Sequence, residues 1–300
     1  MSFFAIGAGL GTKNSDNQWL EVFFPKPELN PDKDLIGKIA LLTGYKGGNA
    51  TIELDAPTCH ALEELFVKEH ASFHALTLAA MECSAQPKVL VILEEDSQTE
   101  TVPETYLKLH LLSHRKCKPH QINLDNIFSL LPTVAWTSKG AVDLNELPER
   151  QLLFRSRGEH LQIYSVDKFP QMTNYVIPEG LRIADTARVR LGAYLGSGTT
   201  IMHEGFVNFN AGTEGPNMIE GRISAGVFVG AGSDLGGGCS TMGILSGGND
   251  AIIAVGKHCL IGANAGIGIS LGNNCTVEAG LYITAGAKVT MLNTKKKQNV

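Results

Sequence analysis

Several features that would place this 300-residue sequence in a specialised class are absent. No apolar run approaches the roughly 20 residues that a membrane-spanning helix needs, and the N-terminus lacks the basic region of a signal peptide. The net charge of −5 disfavours nucleic acids and anionic membranes as partners. The six cysteines include no Cys-x-x-Cys pair, and they indicate a reducing compartment. We therefore expect a cytoplasmic protein that binds neither nucleic acid nor membrane.

The C-terminal part of the chain carries a six-residue repeat. A small residue usually follows each aliphatic position of the repeat by four residues. Neither an amphipathic helix nor a half-buried strand has a period of six, whereas a parallel β-helix with three short faces per coil does. The aliphatic positions are Ile183, Val189, Leu195, Ile201, Val207, Ile223, Val229, Leu235, Val255, Ile261, Ile267, Leu271, Val277, Ile283 and Val289.

The remainder of the chain predicts a mixed α/β region. Thr58 to Cys83 is predicted to form one helix capped by Thr58, and Pro103 to about Cys117 a second one. The segment Pro178-Glu-Gly180 predicts a domain boundary. We therefore expect an N-terminal α/β domain over residues 1–180, a left-handed parallel β-helix over 181–290 and a basic tail over 291–300.

Three cysteines fall on the small inward position of the repeat, namely Cys239, Cys259 and Cys275. A free cysteine in such a position behaves as a small apolar residue. We therefore expect all three thiols to be buried and unreactive.

The repeat breaks twice, and breaks in a solenoid often form functional loops on one face. Val207 and Ile223 are separated by sixteen residues, four more than two repeats. Leu235 and Val255 are separated by twenty residues, two more than three repeats. Both intervals are polar and rich in glycine, and they predict two insertions.

The residues in and around these breaks resemble the tetrahydrodipicolinate N-succinyltransferase family, of the type found in actinobacteria and some proteobacteria. The resemblance is strong from about residue 103 to residue 289. The segments that carry it are Tyr106–Arg115, Asn208–Thr213, Ile219–Gly226, Gly262–Asn264, Gly268–Gly272 and Glu278–Tyr282.

The resemblance implies a homotrimer with one left-handed β-helix per subunit and with active sites between neighbouring subunits. It also implies transfer of a succinyl group from succinyl-CoA to the amine of tetrahydrodipicolinate, or of its open-chain form 2-amino-6-oxopimelate. This reaction belongs to lysine and diaminopimelate synthesis.

Two catalytic residues follow from the resemblance. The backbone N–H of Gly243 would stabilise the oxyanion, and the carboxylate of Glu220 would act on the acyl group or on the amine. Glu220 could form an acyl anhydride, or it could deprotonate or position the amine. We favour direct attack by the amine, and the alternative for Glu220 is a structural salt bridge to Arg222.

The resemblance also implies cofactor and metal contacts. A magnesium site on the trimer axis would use Glu204, but the position of its partner aspartate is Ala187, and Asp185 is out of register. Lys295 to Lys297 are candidates for the CoA phosphates, and Arg182, Arg188 or Arg190 for the acceptor carboxylates. The implied CoA contacts are Arg222, Gly237, Ser240, Ala263, Glu278, Ala279 and Gly286.

Three other functions share this fold. A γ-type carbonic anhydrase needs three zinc-binding histidines, and the repeat region has only His203 and His258. A non-enzymatic scaffold would bind no CoA. Another CoA-dependent acyltransferase of the repeat superfamily, with an acetyl donor or a different acceptor, is the main alternative.

Overall fold

The computed structural model describes residues 3–245 and 249–292, in which an α/β region is followed by a parallel β-helix. Every helix within these ranges is too short or too polar to cross a membrane. The elements before the β-helix are β1 (Ala5–Lys13), β2 (Trp19–Phe23), β3 (Glu28–Leu29), α1 (Lys33–Thr43), β4 (Ala50–Glu53), α2 (Ala56–Lys68), α3 (Ser72–Glu82), β5 (Lys88–Leu93), α4 (Val102–Ser113), α5 (Ile127–Leu130), β6 (Val134–Thr137), β7 (Gly140–Asp143), α6 (Leu147–Ser156) and β8 (Ile163–Asp167).

The first sheet is antiparallel, with the strand order β2-β1-β5-β4 and with β3 paired to β1. Side chains of a strand alternate between its two faces, and β5 buries both. Leu90 and Ile92 pack in one apolar cluster with α1, α2 and α3. Val89, Val91 and Leu93 pack in the other, with α4 and the interior of the β-helix. The sheet thereby fixes α4 against the repeat.

The single helix predicted from Thr58 to Cys83 is wrong, because the chain breaks it into α2 and α3. The break occurs at His70, whose φ of 56° lies in the left-handed region that a helix interior does not adopt. The cap is also different: Asp55 accepts a hydrogen bond from the N–H of Thr58 (2.9 Å) and satisfies the first turn. The helix predicted from Pro103 is present as α4, with Thr101 as its cap.

A second, three-stranded antiparallel sheet has the order β7-β6-β8. It joins the β-helix through Arg190, whose guanidinium donates to Asp167 Oδ2 (2.6 Å) and to Asn208 Oδ1 (3.1 Å). Phe169 stacks on Phe209 with ring centroids 4.3 Å apart. These contacts attach the small sheet to the first coils of the β-helix.

The β-helix has three parallel faces, and the predicted fold class is confirmed. We number its faces in chain order, and we call the turn from the first face to the second the first corner, and the turn from the second to the third the second corner. The first face contains β9 (Arg182–Ile183), β11 (Thr199–Ile201), β14 (Asn217–Ile219), β17 (Asp234–Leu235), β22 (Leu260–Ile261) and β24 (Thr276–Val277). The second contains β12 (Phe206–Val207), β15 (Arg222–Ile223), β18 (Ser240–Thr241), β23 (Gly266–Ile267) and β25 (Tyr282–Ile283). The third contains β10 (Tyr194–Leu195), β13 (Gly212–Thr213), β16 (Phe228–Val229) and β21 (Ala254–Val255).

Most of the predicted repeat positions point inward, and those from Val189 to Ile267 are buried. Val289 is different: it is 75% exposed and lies beyond the last described strand of the β-helix. Cys239 and Cys259 are buried as expected, whereas Cys275 is half-buried near the open end. Burial raises the pKa of the Cys239 thiol to about 12, so this thiol stays protonated near neutral pH.

The first predicted insertion is wrong, because the coil is shortened there rather than lengthened. Thr213 and Ile219 keep the six-residue spacing after Val207, and both are fully buried. Ile223 lies on the next face and follows Ile219 after only four residues. The second insertion is real but begins later. Thr241 occupies the buried repeat position six residues after Leu235. The chain then leaves the coil in an antiparallel hairpin of β19 (Ile244–Leu245) and β20 (Asn249–Ile252) before it returns at β21.

The short corner between Ile219 and Ile223 depends on Gly221. A Cβ on this residue would lie 2.6 Å from the carbonyl oxygen of Cys239 and would also clash with its sulfur. The corner therefore requires glycine for lack of space, and it holds the preceding residue, Glu220, in a fixed position.

Replacing Gly221 with alanine should destabilise the fold by about 2–3 kcal/mol, because the clash is with backbone that cannot rotate away. Chemical denaturation would measure the change in the free energy of unfolding. Gly272→Ala is the matched control, since a Cβ there meets no atom within 4 Å. Equal stability of the two variants would contradict the tight corner.

Candidate active site

Glu220 projects from the short first corner without a side-chain partner among residues 3–245 and 249–292. Its backbone is held by the neighbouring coil, because its N–H donates to Leu235 O (2.8 Å). The guanidinium of Arg222 donates instead to Ser240 Oγ (2.5 Å). The alternative role for Glu220, a salt bridge to Arg222, is therefore not formed. This half-buried carboxylate, unpaired within the described part of the chain, is available to a ligand or to a reacting amine.

The first corners of successive coils are stacked directly above Glu220. A Cβ built on Gly237 would lie 3.7 Å from Glu220 Oε2. Asn264 donates its backbone N–H to Gly237 O (2.9 Å), and Gly280 donates to Ala263 O (2.9 Å). Most of the expected CoA contacts lie along this column or on the adjoining edge of the second face. They are Arg222, Gly237, Ser240, Ala263, Glu278 and Ala279.

Gly243 and Gly286 lie on the second corner, at the opposite edge of the same face. The backbone N–H of Gly243 donates to no atom within the described ranges, so it is free to bind an oxyanion. Glu220 and Gly243 are thus on two different corners, and a single chain does not bring them together.

The three arginines considered for the acceptor carboxylates differ in their partners. Arg190 is engaged with Asp167 at 2.6 Å. Arg188 donates to His203 O (3.2 Å) and faces Glu204 at 3.7 Å. Arg182 is exposed, and its guanidinium forms no hydrogen bond or ion pair with the residues that the structure describes. Of the three, Arg182 has the guanidinium most available to a ligand.

The residues around Glu204 do not fit a divalent cation. Ala187 offers no side-chain oxygen, and Asp185 is used to cap the turn, accepting a hydrogen bond from Ala187 N–H (3.0 Å). The guanidinium of Arg188 lies 3.7 Å from the Glu204 carboxylate, where it supplies positive charge in place of a metal. The basic residues Lys295 to Lys297 lie outside the described residues.

A histidine that the sequence did not single out lies beside Gly243. The Nε2–H of His120 donates to Gly226 O (2.6 Å), and Gly226 is in turn next to the carbonyl of Gly243. His120 and Gly226 are 106 residues apart in the sequence. No motif or spacing predicts such a contact, because it depends on how the segment before α5 packs on the second corner.

The hexapeptide repeat and the named relatives show that this three-sided β-helix is an acyltransferase of the hexapeptide-repeat class. Two family models match the chain: "Hexapeptide repeat of succinyl-transferase" over residues 252–285 and "Tetrahydrodipicolinate N-succinyltransferase middle" over residues 131–171. The second match covers the small sheet of β6, β7 and β8. The chain belongs to the tetrahydrodipicolinate N-succinyltransferase family.

The relatives that show this family membership carry the name 2,3,4,5-tetrahydropyridine-2,6-dicarboxylate N-succinyltransferase. The protein of Pseudomonas putida is 60% identical over 292 residues, which are 97% of this chain and 85% of that protein. Those of Pseudomonas aeruginosa and Vibrio cholerae are 58% and 51% identical, with coverage of 97% and 98% of this chain and 85% of each protein. A solved Campylobacter jejuni structure, described as a 2,3,4,5-tetrahydropyridine-2-carboxylate N-succinyltransferase, has a TM-score of 0.87 and 33% identity and covers 94% of this chain and 78% of that chain.

Proposed function

We propose that this protein transfers a succinyl group from succinyl-CoA to the amine of tetrahydrodipicolinate, or of its open-chain form 2-amino-6-oxopimelate. The observation that carries the proposal is the Glu220 carboxylate, which has no side-chain partner among the described residues and lies on a corner of a β-helix whose relatives bear the name of this activity. The reaction would serve lysine and diaminopimelate synthesis.

The acyl donor needs no further activation by the protein, because a thioester is already an activated acyl group. The amine must be neutral when it attacks, its proton must be removed, and the oxyanion of the tetrahedral intermediate must be stabilised before the CoA thiolate leaves. The carboxylate of Glu220 would deprotonate or position the amine, and the backbone N–H of Gly243 would donate a hydrogen bond to the oxyanion. The stacked first corners, with Arg222 at their base, offer a path for the CoA arm.

A homotrimer would complete the site. Glu220 and Gly243 lie on different corners, so the two groups meet when the first corner of one subunit faces the second corner of its neighbour. Apolar side chains point outward from the second and third faces, including Phe206, Phe228 and the 56% exposed Tyr282. Cyclic closure would cover such faces. Light scattering should give three times the chain mass, and a monomer at micromolar concentration would contradict a shared site.

An acyl-transfer assay tests the proposed reaction. The wild-type protein should transfer the acyl group of succinyl-CoA to tetrahydrodipicolinate much faster than that of acetyl-CoA. Equal or preferred use of acetyl-CoA would identify a different acyltransferase of the same fold. Failure to turn over either donor with this acceptor would reject the proposed function.

A further inference from the structure

A cavity of about 410 Å³ lies between the first sheet and the small second sheet. Its walls are the facing parts of β1, β2 and β7, the segment before β5, and α6. These elements all precede the β-helix, so the cavity is separate from the corners that carry the candidate active site. Ligand pockets usually measure about 300–1000 Å³, and this cavity is therefore large enough for a small molecule.

Three cations from distant parts of the chain line this cavity. Lys13 ends β1, Lys139 lies in the turn between β6 and β7, and Arg150 lies on α6. The lining contains one carboxylate, that of Glu146. The cavity is therefore positively charged although the whole chain has a net charge of −5, and such a local excess of one sign attracts ligands of the opposite sign.

Two of these four charged groups are already engaged. The side chain of Lys13 is only 8% exposed, and its ammonium donates to Glu53 Oε1 (2.5 Å) and to Asn17 Oδ1 (3.0 Å). Glu146 Oε1 accepts from Ser15 N–H (2.6 Å). These contacts join β1 and the turn after it to their neighbours, and they fix one side of the cavity.

The other two charged groups are available to a ligand. The nearest carboxylate oxygen to Arg150 is Glu146 Oε2, which lies 3.7 Å from Nη2 and is too distant for a hydrogen bond. Within residues 3–245 and 249–292, neither the Arg150 guanidinium nor the Lys139 ammonium donates a hydrogen bond. A guanidinium with free N–H groups can bind a carboxylate through two parallel hydrogen bonds, and an ammonium adds charge.

Much of the remaining lining is apolar. Leu20 and Ala141 are buried at the cavity wall, and Phe154 and Leu161 are half-buried beside it. A hydrocarbon or aromatic group that packed on these side chains would be removed from water. The cavity thus combines free cationic donors with an apolar wall, a combination that suits a molecule with one anionic end.

We propose that this cavity is a binding site for a small carboxylate with an apolar body, whose carboxylate is held by Arg150 and Lys139 and whose body packs on Phe154 and Leu161. The site is additional to the site of succinyl transfer, and the inference does not depend on the proposed function. A bound ligand would contact the small sheet and the first sheet together.

Calorimetric titration with 3-phenylpropionate tests the proposal, because this compound has a carboxylate and an apolar body of suitable size. We expect the wild type to bind it with a Kd of about 0.1–1 mM. Two other compounds separate the two parts of the site. 3-Phenylpropylamine has the same body with a positive charge, and inorganic phosphate has negative charge without the body. Each should bind at least about tenfold more weakly.

Arg150→Gln and Lys139→Gln should each weaken the binding of 3-phenylpropionate by about 5–50-fold, because each removes a charged donor. Both residues are exposed, and the long Arg150–Glu146 pair contributes little to stability. Arg155→Gln is the matched control, since Arg155 is an exposed arginine of the same helix that does not line the cavity. It should bind like the wild type, and the melting temperatures of all three variants should stay close to that of the wild type.

Four results would overturn the assignment. They are no binding of 3-phenylpropionate by the wild type at about 10 mM, unchanged binding in both cavity variants, equal binding of 3-phenylpropylamine, and displacement of 3-phenylpropionate by succinyl-CoA. The last result would place the compound in the transfer site. The acyl-transfer assay of the wild type is independent of these titrations, so either proposal can fail while the other stands.

Discussion

Glu220→Gln should lower the rate of succinyl transfer by roughly 10²–10⁴-fold while succinyl-CoA still binds. Glutamine keeps the shape of the side chain and removes the charge that would deprotonate or position the amine. No neighbour within the described ranges depends on this carboxylate, so the fold should be unaffected. Steady-state kinetics together with calorimetric titration of succinyl-CoA would measure both quantities.

Asp234→Asn is a suitable control, because this exposed carboxylate lies on the outer side of the first face and belongs to neither corner. Its activity should match that of the wild type. If Glu220→Gln retained more than about a tenth of the wild-type rate, the carboxylate would have no chemical role.

The loss of activity alone does not separate direct attack from an anhydride at Glu220, but pre-steady-state release of CoA does. An anhydride route releases about one CoA per site when succinyl-CoA is mixed with enzyme alone. Direct attack releases CoA only when the amine is present. We expect no burst, since an anhydride lies uphill of a thioester whereas the amide product lies downhill. A stoichiometric burst that disappears in Glu220→Gln would establish Glu220 as the nucleophile.

The free energy of unfolding should fall as the pH is lowered from about 6.5 toward 4, because burial favours the neutral form of His110 in α4 and of the half-buried His114 that follows its last turn. Burial lowers the pKa of His110 to about 3 and that of His114 to about 4. An unfolded histidine binds a proton below a pH of about 6.5, so in this range the unfolded state binds more protons. For one such histidine, the slope of the unfolding free energy against pH approaches about 1.4 kcal/mol per pH unit. His110 alone should therefore lower the free energy of unfolding by about 2 kcal/mol between pH 6.5 and pH 5.

The buried carboxyl of Glu21 acts in the opposite direction, because burial raises its pKa and its contribution is lost as the pH rises. A variant of one histidine therefore isolates the effect. His110 donates through Nδ1 to Tyr106 O (2.8 Å) and accepts at Nε2 from Phe24 N–H (3.2 Å), and glutamine offers one donor and one acceptor without titrating.

His110→Gln should flatten the dependence of stability on pH between 6.5 and 5, whatever its stability at pH 7. Denaturant titrations at several pH values would measure this slope. His60→Gln, a change at an exposed histidine on α2, should leave the slope as in the wild type. A slope that is equally steep in His110→Gln and in the wild type would show that His110 does not carry the effect.

The interior of the β-helix was predictable because each repeat places one side chain inside, and an aliphatic residue at that position stands out from its small and polar neighbours. Thr213 and Thr241 are buried at the same positions, but threonine does not stand out in this way. The two threonines therefore concealed the six-residue repeat, and the short corner before Ile223 looked like an insertion. The position of this break was predictable from the sequence, but whether residues were added or removed there was not.

Some residues of the candidate site were predictable from the sequence, and others were not. Glu220, Gly243 and the expected CoA contacts were predicted from contiguous segments that resemble the family, and the β-helix stacks the first corners on which most of those contacts lie. His120 was not predictable, because its bond to Gly226 joins residues 106 positions apart and its backbone adopts a left-handed conformation that no pattern specifies. The same limit applied to α2 and α3, where the conformation of His70 alone ends a stretch of helix-forming residues.

The pairing of successive coils remains in register across the shortened corner and across the inserted hairpin. Phe206 pairs with Arg222, Arg222 with Ser240, and Ser240 with Gly266, although the intervening chain lengths differ. In most folds a two-residue deletion displaces everything downstream, but here the displacement is absorbed at the corner where it occurs. Corner length is therefore a variable that evolution or engineering can alter one coil at a time. A hairpin or a short corner transplanted from a related enzyme could change the substrate while the frame beneath it stays the same.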